Sequence, residues 1–282
     1  MNRYASNIFF LSLSWAAAGI CALILFFLFA VITWNGIKAI DIEFLFTVSR
    51  NFGAEGGIFY QIIGSLLLIV SAAVLSLPLA LGTAIFKSEY LKSGLLKKIG
   101  TALIYGLNGV PSVIFGIFGL ILFVNILNTG ISWFVGSIIL AMMILPTIIM
   151  ASYQSINSIP KVYRESALAL GLSKWEVITR VLLPQGVSGA VTGLLVGLAR
   201  AVGETAPIMF IATAFSGVNI PGSLFQPVTA LPTHILALAQ QATNQQALRN
   251  AWGTSFVLLG MVMIFSLSAL VFRTKLRSVS QR

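Results

Sequence analysis

Charge is what this 282-residue chain lacks most: 9% of its residues are charged, against 58% hydrophobic. A soluble domain carries about 25% charged residues, so this chain cannot clothe a water-facing surface. What remains is a polytopic membrane protein, whose length limits the number of spans rather than the number of soluble domains. Cysteine is nearly absent as well. The single Cys21 lies in an apolar run, which excludes an intrachain disulfide and a cysteine metal cluster. It reads as a small residue facing lipid or a neighbouring helix. The single histidine, His234, reads as structural rather than as a metal ligand or proton carrier. No G-x-x-x-x-G-K-[ST] phosphate loop occurs, so nucleotide binding by this chain is not expected. Neither an internal repeat nor a low-complexity tract is visible.

What is present is apolar length. A span needs about 20 mostly apolar residues, and six runs qualify: Ser12–Thr33, Tyr60–Phe86, Gly100–Asn125, Ser132–Ser152, Val187–Ala212 and Trp252–Phe272. The first is too long and too apolar for a signal segment and is expected to be retained. The net charge of +10 would suit a nucleic-acid binder, but its distribution does not. With the N-terminus inside, thirteen of the seventeen basic residues fall in inner segments: Arg3, Lys87, Lys92, Lys97, Lys98, Lys161, Arg164, Lys174, Arg180, Arg273, Lys275, Arg277 and Arg282. Lys38, Arg50 and Arg249 fall outside, and Arg200 lies within a span. This is the positive-inside bias. It places both termini in the cytoplasm and explains the high pI without nucleic acid. The long outer loop 213–251 is expected to carry a short amphipathic helix on the outer surface after Pro232.

The inner loop between spans four and five, "NSIPKVYRESALALGLSKWEVITRVLLPQ" at 157–185, carries consistent local signals. Ser158 can cap a helix and Pro160 suits its first turn. Gly171 is placed to end that helix in a left-handed cap. Ser173 and Glu176 form a capping box opening a second helix to about Leu182, and Pro184 marks the entry into span five. A surface hairpin satisfies these signals. A DNA-reading helix-turn-helix would satisfy them too, but both ends are tethered to the membrane.

The fifth span holds the stretch "VGLARAVGETAPIMF". Projected at about 100° per residue, Arg200 and Glu204 fall on the stripe made by Gly189, Gly193 and Gly197. Small residues spaced by four let membrane helices approach closely, so the charges are expected to face protein or a cavity. Arg200 lies about 13 residues past the helix start, about 20 Å at 1.5 Å each, near or just beyond mid-membrane. Pro207 lacks an N–H and frees the Gly203 carbonyl, and Thr205 adds a hydroxyl. One reading is an i,i+4 pair that neutralises itself and pins two helices. The other is a lining for a polar substrate. Intramembrane charges cost about 2.5–3.5 kcal/mol each on insertion scales, and a merely structural pair is replaceable by apolar residues, which favours the second. An arginine there can fork two N–H bonds onto an oxyanion. Asn108 and Ser112 flank Pro111 in span three and read as a kinked helix with satisfied side chains.

Two resemblances add to this. The inner loop resembles the E-A-A-x3-G-x9-I-x-L-P motif of ATP-binding-cassette importer permeases, with Glu165-Ser166-Ala167, Gly171, Val181, Leu183 and Pro184 in register. Ser for the middle Ala and Val for Ile are mild departures. The resemblance implies an all-α, type I (MetI-like) permease with six transmembrane helices. It implies a coupling helix that docks on a separate ATPase, with Arg164, Glu165, Ala167, Gly171 and Lys174 at that contact. The chain then divides into a tail and first span (1–34), a permease domain (60–272) with its coupling loop (153–185), and a basic tail (273–282). "GLARAVGETAPIMF", "GGIFYQIIGSLLL" (56–68), "GVPSVIFGIFGL" (109–120) and "QPVTALPTHI" (226–235) resemble phosphate-importer permeases, the last segment those of PstA type rather than PstC type. That likeness implies inorganic phosphate as substrate and a PstC-like second permease subunit. It also implies two PstB-like ATPases that use ATP with Mg, and a PstS-like binding protein. A permease for another oxyanion or an uncharged solute, a proton-coupled secondary transporter using Glu204, and a membrane sensor that moves nothing are the competing readings.

Overall fold

The computed structural model describes residues 3–91, 94–214 and 220–280. Lys92 and Arg282, counted above among the inner basic residues, lie outside them. The first apolar run forms α1 (Arg3–Ile37), followed by a short α2 (Ile42–Phe46) whose N-terminus is capped by Asp41. A two-residue hairpin pairs β1 (Ser49–Arg50) with β2 (Glu55–Gly56) in antiparallel register. Next comes α3 (Phe59–Ile85), which closes in a π-helical turn at Phe86–Tyr90. Among the described residues five helices are long and apolar enough to cross a membrane, and the crossings number six if one bent pair counts as a single span.

The bent pair is span three. It was expected as one run from Gly100 to Asn125; instead α4 (Leu95–Asn108) and α5 (Ser112–Gly119, extended by a π-helical stretch to Ile126) meet at 93°. Pro111 is the cause. The residue before a proline is pushed out of the α region, and the proline sits as the N-cap of α5 with φ −56° and ψ 136°.

Beyond it α6 (Trp133–Asn157) is the most buried span, and α3 and α9 (Leu183–Val202) pack along it. Leu68 and Ala72 of α3, Ile139, Leu140, Ile144 and Ile148 of α6, and Leu198 and Ala201 of α9 share one core. By contrast α1 touches mainly α12 (Gln245–Ser280) and exposes most of its apolar side chains, as a lipid-facing helix does.

The loop helices follow the sequence signals with two departures. Helix α7 covers Lys161–Ala169, and Gly171 beyond it takes φ +86°, the left-handed geometry a non-glycine residue resists. Ser173 and Glu176 form the full capping box at α8 (Lys174–Glu176). Ser158, however, does not cap α7. It closes α6, its hydroxyl donating to the Ser155 carbonyl at 2.7 Å. Pro184 does not break the chain either. A π-helical turn at Val177–Leu182 carries α8 into α9 (Leu183–Val202) as one continuous helix. The wider turn lets the Leu183 N–H reach the Ile178 carbonyl while the proline sits where no N–H is required.

Span five departs most. It stops at Val202, Gly203–Thr205 leave the helix, and α10 (Ala206–Ile211) resumes it. The expected surface helix is α11 (Leu231–Ala239), and it is tucked in rather than laid on top. Leu231, Pro232, Thr233, His234, Ala237 and Leu238 are all buried, against α3, α12 (Gln245–Ser280) and the 51–53 turn. Its first N–H is taken by the Ser65 hydroxyl of α3 at 2.9 Å.

Candidate functional site

The glycine stripe does what its spacing promised. A methyl on Gly189 would run into Ser155 Cβ and, at 2.7 Å, the Ala151 carbonyl. One on Gly193 would meet Ala151 Cβ at 2.6 Å, and one on Gly197 would meet Ile144 Cβ at 3.2 Å. Only hydrogen fits at the first two, so α9 and α6 approach backbone to backbone. This sets the position of Arg200, in the last turn of α9. Its Nε donates to Glu204 Oε1 at 3.2 Å. The pair does not share the buried face of the stripe, as expected from an unbroken helix. The Arg200 side chain is 42% exposed and that of Glu204 15%.

For Glu204 the reason is the break, which begins after Arg200. Beyond Val202 the backbone tightens: Gly203 N–H bonds the Arg200 carbonyl and Glu204 N–H the Ala201 carbonyl, each an i→i+3 link. Pro207 therefore does not kink a helix. It lies in the first turn of α10, where a missing N–H costs nothing. No hydrogen bond reaches the Gly203 carbonyl among the described residues, and the residue is exposed. Thr205 follows Glu204 in the break, and its hydroxyl bonds neither charge among the described residues. On the far side of the break α10 packs on α5, where Gly116 lies against Pro207 Cα. Two discontinuous helices thus meet inside the bundle. Irregular backbone at membrane depth is tolerated where it is buried in protein or lines a water-filled cavity. Sequence reasoning did not find Thr147, whose hydroxyl donates to Asn108 Oδ1 at 3.3 Å beside the elbow of α4 and α5.

The second constellation is the α7 loop, and it divides the residues named for it. Arg164 points inward. Its Nε donates to Glu89 Oε1 at 3.2 Å, Nη1 to the Ile159 carbonyl at 2.8 Å and Nη2 to the Ile156 carbonyl at 2.9 Å. Ala167 is buried in a small core with Ile159, Val177, Ile178 and Leu182. Lys174 reaches back to the Glu89 carbonyl at 2.9 Å and lies over the Tyr90 ring. Arg164 and Lys174 therefore tie the loop to the end of α3, and Ala167 packs within the loop itself. Glu165 and Gly171 are exposed, with Val162, Tyr163, Leu168, Leu170 and Trp175 around them. Glu89 was missed by sequence reasoning, although a lone acid among the lysines of that segment was a signal.

A membrane bundle with a broken fifth span and a helical loop pinned beneath it is a shape with relatives. Residues 76–278 match the family described as binding-protein-dependent transport system inner membrane component. This chain belongs to that family. Among its relatives is the probable ABC transporter permease protein YqgI of Bacillus subtilis, 30% identical over 95% of each chain. Another is the phosphate transport system permease protein PstA of Pasteurella multocida, 28% identical over 96% of this chain and 94% of the other. PstC of the same organism is 31% identical over 76% and 74%. Among solved structures, a bacterial alginate ABC transporter aligns with a TM-score of 0.63 at 17% identity, covering 98% of this chain and 96% of the other. The MetNI methionine ABC transporter aligns at 0.58 and 13%, covering 78% and 97%. The fold is that of a type I ABC importer permease.

At the end of this permease opposite α7, the lone histidine is locked in. His234 Nδ1 accepts from Gln61 Nε2 at 3.4 Å, and Gly53 lies against the ring. Burial pushes the imidazole down to about 4, so His234 is neutral at pH 7. Asn250 ties the same end together, donating to the Gly53 and Ala54 carbonyls at 3.0 Å each. These contacts hold α11 and the 51–54 turn against α3 and α12.

Proposed function

We propose that the chain is a permease subunit of an ATP-driven phosphate importer in the cytoplasmic membrane, with both termini inside. The observation that carries the reading is the Arg200–Glu204 pair, set in a helix break and half-exposed on a chain that spans the membrane. A charge there is too costly to face lipid, so the face calls for a second permease subunit, here PstC-like, and for a polar solute between the two. An arginine favours an anion. Phosphate, among anions, is suggested by the names of the PstA and PstC relatives. A PstS-like protein would deliver it from outside. Two PstB-like ATPases, using ATP with Mg, would dock below, one of them on the exposed surface of α7 around Glu165 and Gly171. The chain itself would act as a transport subunit, not as an enzyme.

The test is uptake of labelled phosphate by cells lacking the ATPase partner. Uptake is expected to vanish. Uptake that persists would favour a secondary transporter with Glu204 as its proton site. Selectivity offers a finer check. Hydrogen phosphate can donate a hydrogen bond to the Glu204 carboxylate, and sulfate at neutral pH cannot. Glu204→Gln is expected to narrow the preference for phosphate over sulfate by about tenfold, because an amide oxygen still accepts but without the charge, and a hydrogen bond to a charged group exceeds a neutral one by about 1 kcal/mol or more. An unchanged ratio in competition uptake would remove Glu204 from recognition and point to another oxyanion as readily as to phosphate.

A further inference from the structure

The α7 end of the bundle holds a cation that no carboxylate among the described residues pairs with. Lys87 lies in the π-helical turn closing α3 and is 3% exposed. Its ammonium makes no hydrogen bond among the described residues. Tyr153 of α6 offers its ring face 4.3 Å from Nζ, and Lys97 of α4 brings a second ammonium 5.9 Å from the same ring. Two like charges therefore share one aromatic ring. The nearest carboxylate in sequence, Glu89, is committed to Arg164 and to the Ser88 hydroxyl. A cation–π contact contributes about 0.5–2 kcal/mol, whereas a buried ion without a counter-ion costs several. The mismatch calls for an anion.

Helix α4 narrows the choice. Leu95, Leu96, Ile99 and Leu103 are exposed on it, beside exposed Lys98 and half-buried Lys97. Its far end reaches the middle of α6, where Asn108 Oδ1 accepts from the Thr147 hydroxyl, so only its first turns lie at the α7 end. A basic amphipathic segment at the end of a membrane bundle lies near the headgroups, and basic pockets between membrane helices take phosphate-bearing headgroups. We propose that Lys87, Lys97 and Tyr153, at the junction of α3, α4 and α6, form a binding site for a phosphate-type oxyanion. Its sources are the headgroup of an anionic phospholipid and free phosphate. The site is separate from Arg200 and does not depend on what the permease carries.

Thermal unfolding of the purified full chain in neutral detergent tests this, with phosphatidylglycerol, phosphatidylcholine or inorganic phosphate added. Phosphatidylglycerol is expected to raise the melting temperature and phosphatidylcholine to leave it unchanged. Lys87→Met and Lys97→Met should each shift the dose response about fivefold, the worth of one basic residue near an anionic headgroup. Lys87→Arg should preserve it, and Lys38→Met, at the opposite end, should not alter it. Without added anion, Lys87→Met is expected to melt at or above the parent, because an unpaired charge is gone. If that variant fails to fold, the half-exposed Lys97→Met decides. A response to inorganic phosphate alone, lost in Lys87→Met or Lys97→Met, assigns the site to the free anion. No response to either anion, or a response that survives both substitutions, overturns the proposal.

Discussion

Arg200→Gln is expected to lower phosphate uptake by about 10²-fold while the chain still assembles in the membrane. Glutamine keeps length and polarity but removes the charge and the fork of donors. The anion then meets Glu204 without its partner, and a carboxylate left alone on the route repels it. Truncating one member of a hydrogen-bonded charge pair costs about 2–5 kcal/mol, and about 3 kcal/mol is a factor of 10². Arg200→Lys should fall between, because an ammonium restores the charge but not the planar double donor. Folding gives the substitution little to break. The Arg200 side chain is 42% exposed and its hydrogen-bond partner among the described residues is Glu204 alone. Labelled phosphate uptake, normalised to the chain present in isolated membranes, is the measurement. Normal uptake by an assembled Arg200→Gln protein would end the pathway reading. Its disappearance from the membrane would favour a pair that only holds helices together.

The six apolar runs, the Ser173–Glu176 capping box and the left-handed Gly171 were legible in the sequence because each is set by neighbours in the chain. Hydropathy over twenty residues does not register where a helix stops inside the run. Pro111 and Pro207 therefore read as kinks, when each begins a new helix. The glycine stripe was legible because its period is local. The direction of Glu204 was not, since the i→i+3 links at Gly203 and Glu204 turn the chain after the last regular residue. Arg164 shows the same limit at the other end. Its place beside the Glu165-Ser166-Ala167 motif suggested a contact with another protein. Which way it faces depends on Glu89, 75 residues earlier, arriving at the end of α3. Lys87 and Tyr153 likewise meet only after α3 has packed on α6.

That inward turn of Arg164 leads to the second large effect. In the assembled transporter, Arg164→Ala is expected to leave ATP hydrolysis running while phosphate transported per ATP falls about tenfold or more. The loop can pass a displacement to α3 only through rigid contacts, and the Glu89–Arg164 pair is the best shielded of them, with side chains 13% and 17% exposed. Arg164 also holds the Ile156 and Ile159 carbonyls, so it joins the end of α6, the start of α7 and the end of α3 in one side chain. Removing it leaves Glu89 shielded without a counter-charge, which costs about 3–5 kcal/mol. Glu89→Gln should be milder, because an amide oxygen still accepts from the guanidinium. If the two act as one joint, the double variant Glu89→Gln/Arg164→Ala will be less impaired than the sum of the single variants. Exposed Glu165 provides the contrast. Glu165→Ala should weaken docking, and hydrolysis and uptake should then fall in proportion. An Arg164→Ala transporter whose uptake and hydrolysis also fall in proportion would place Arg164 in docking or stability, and the joint to α3 would carry no coupling.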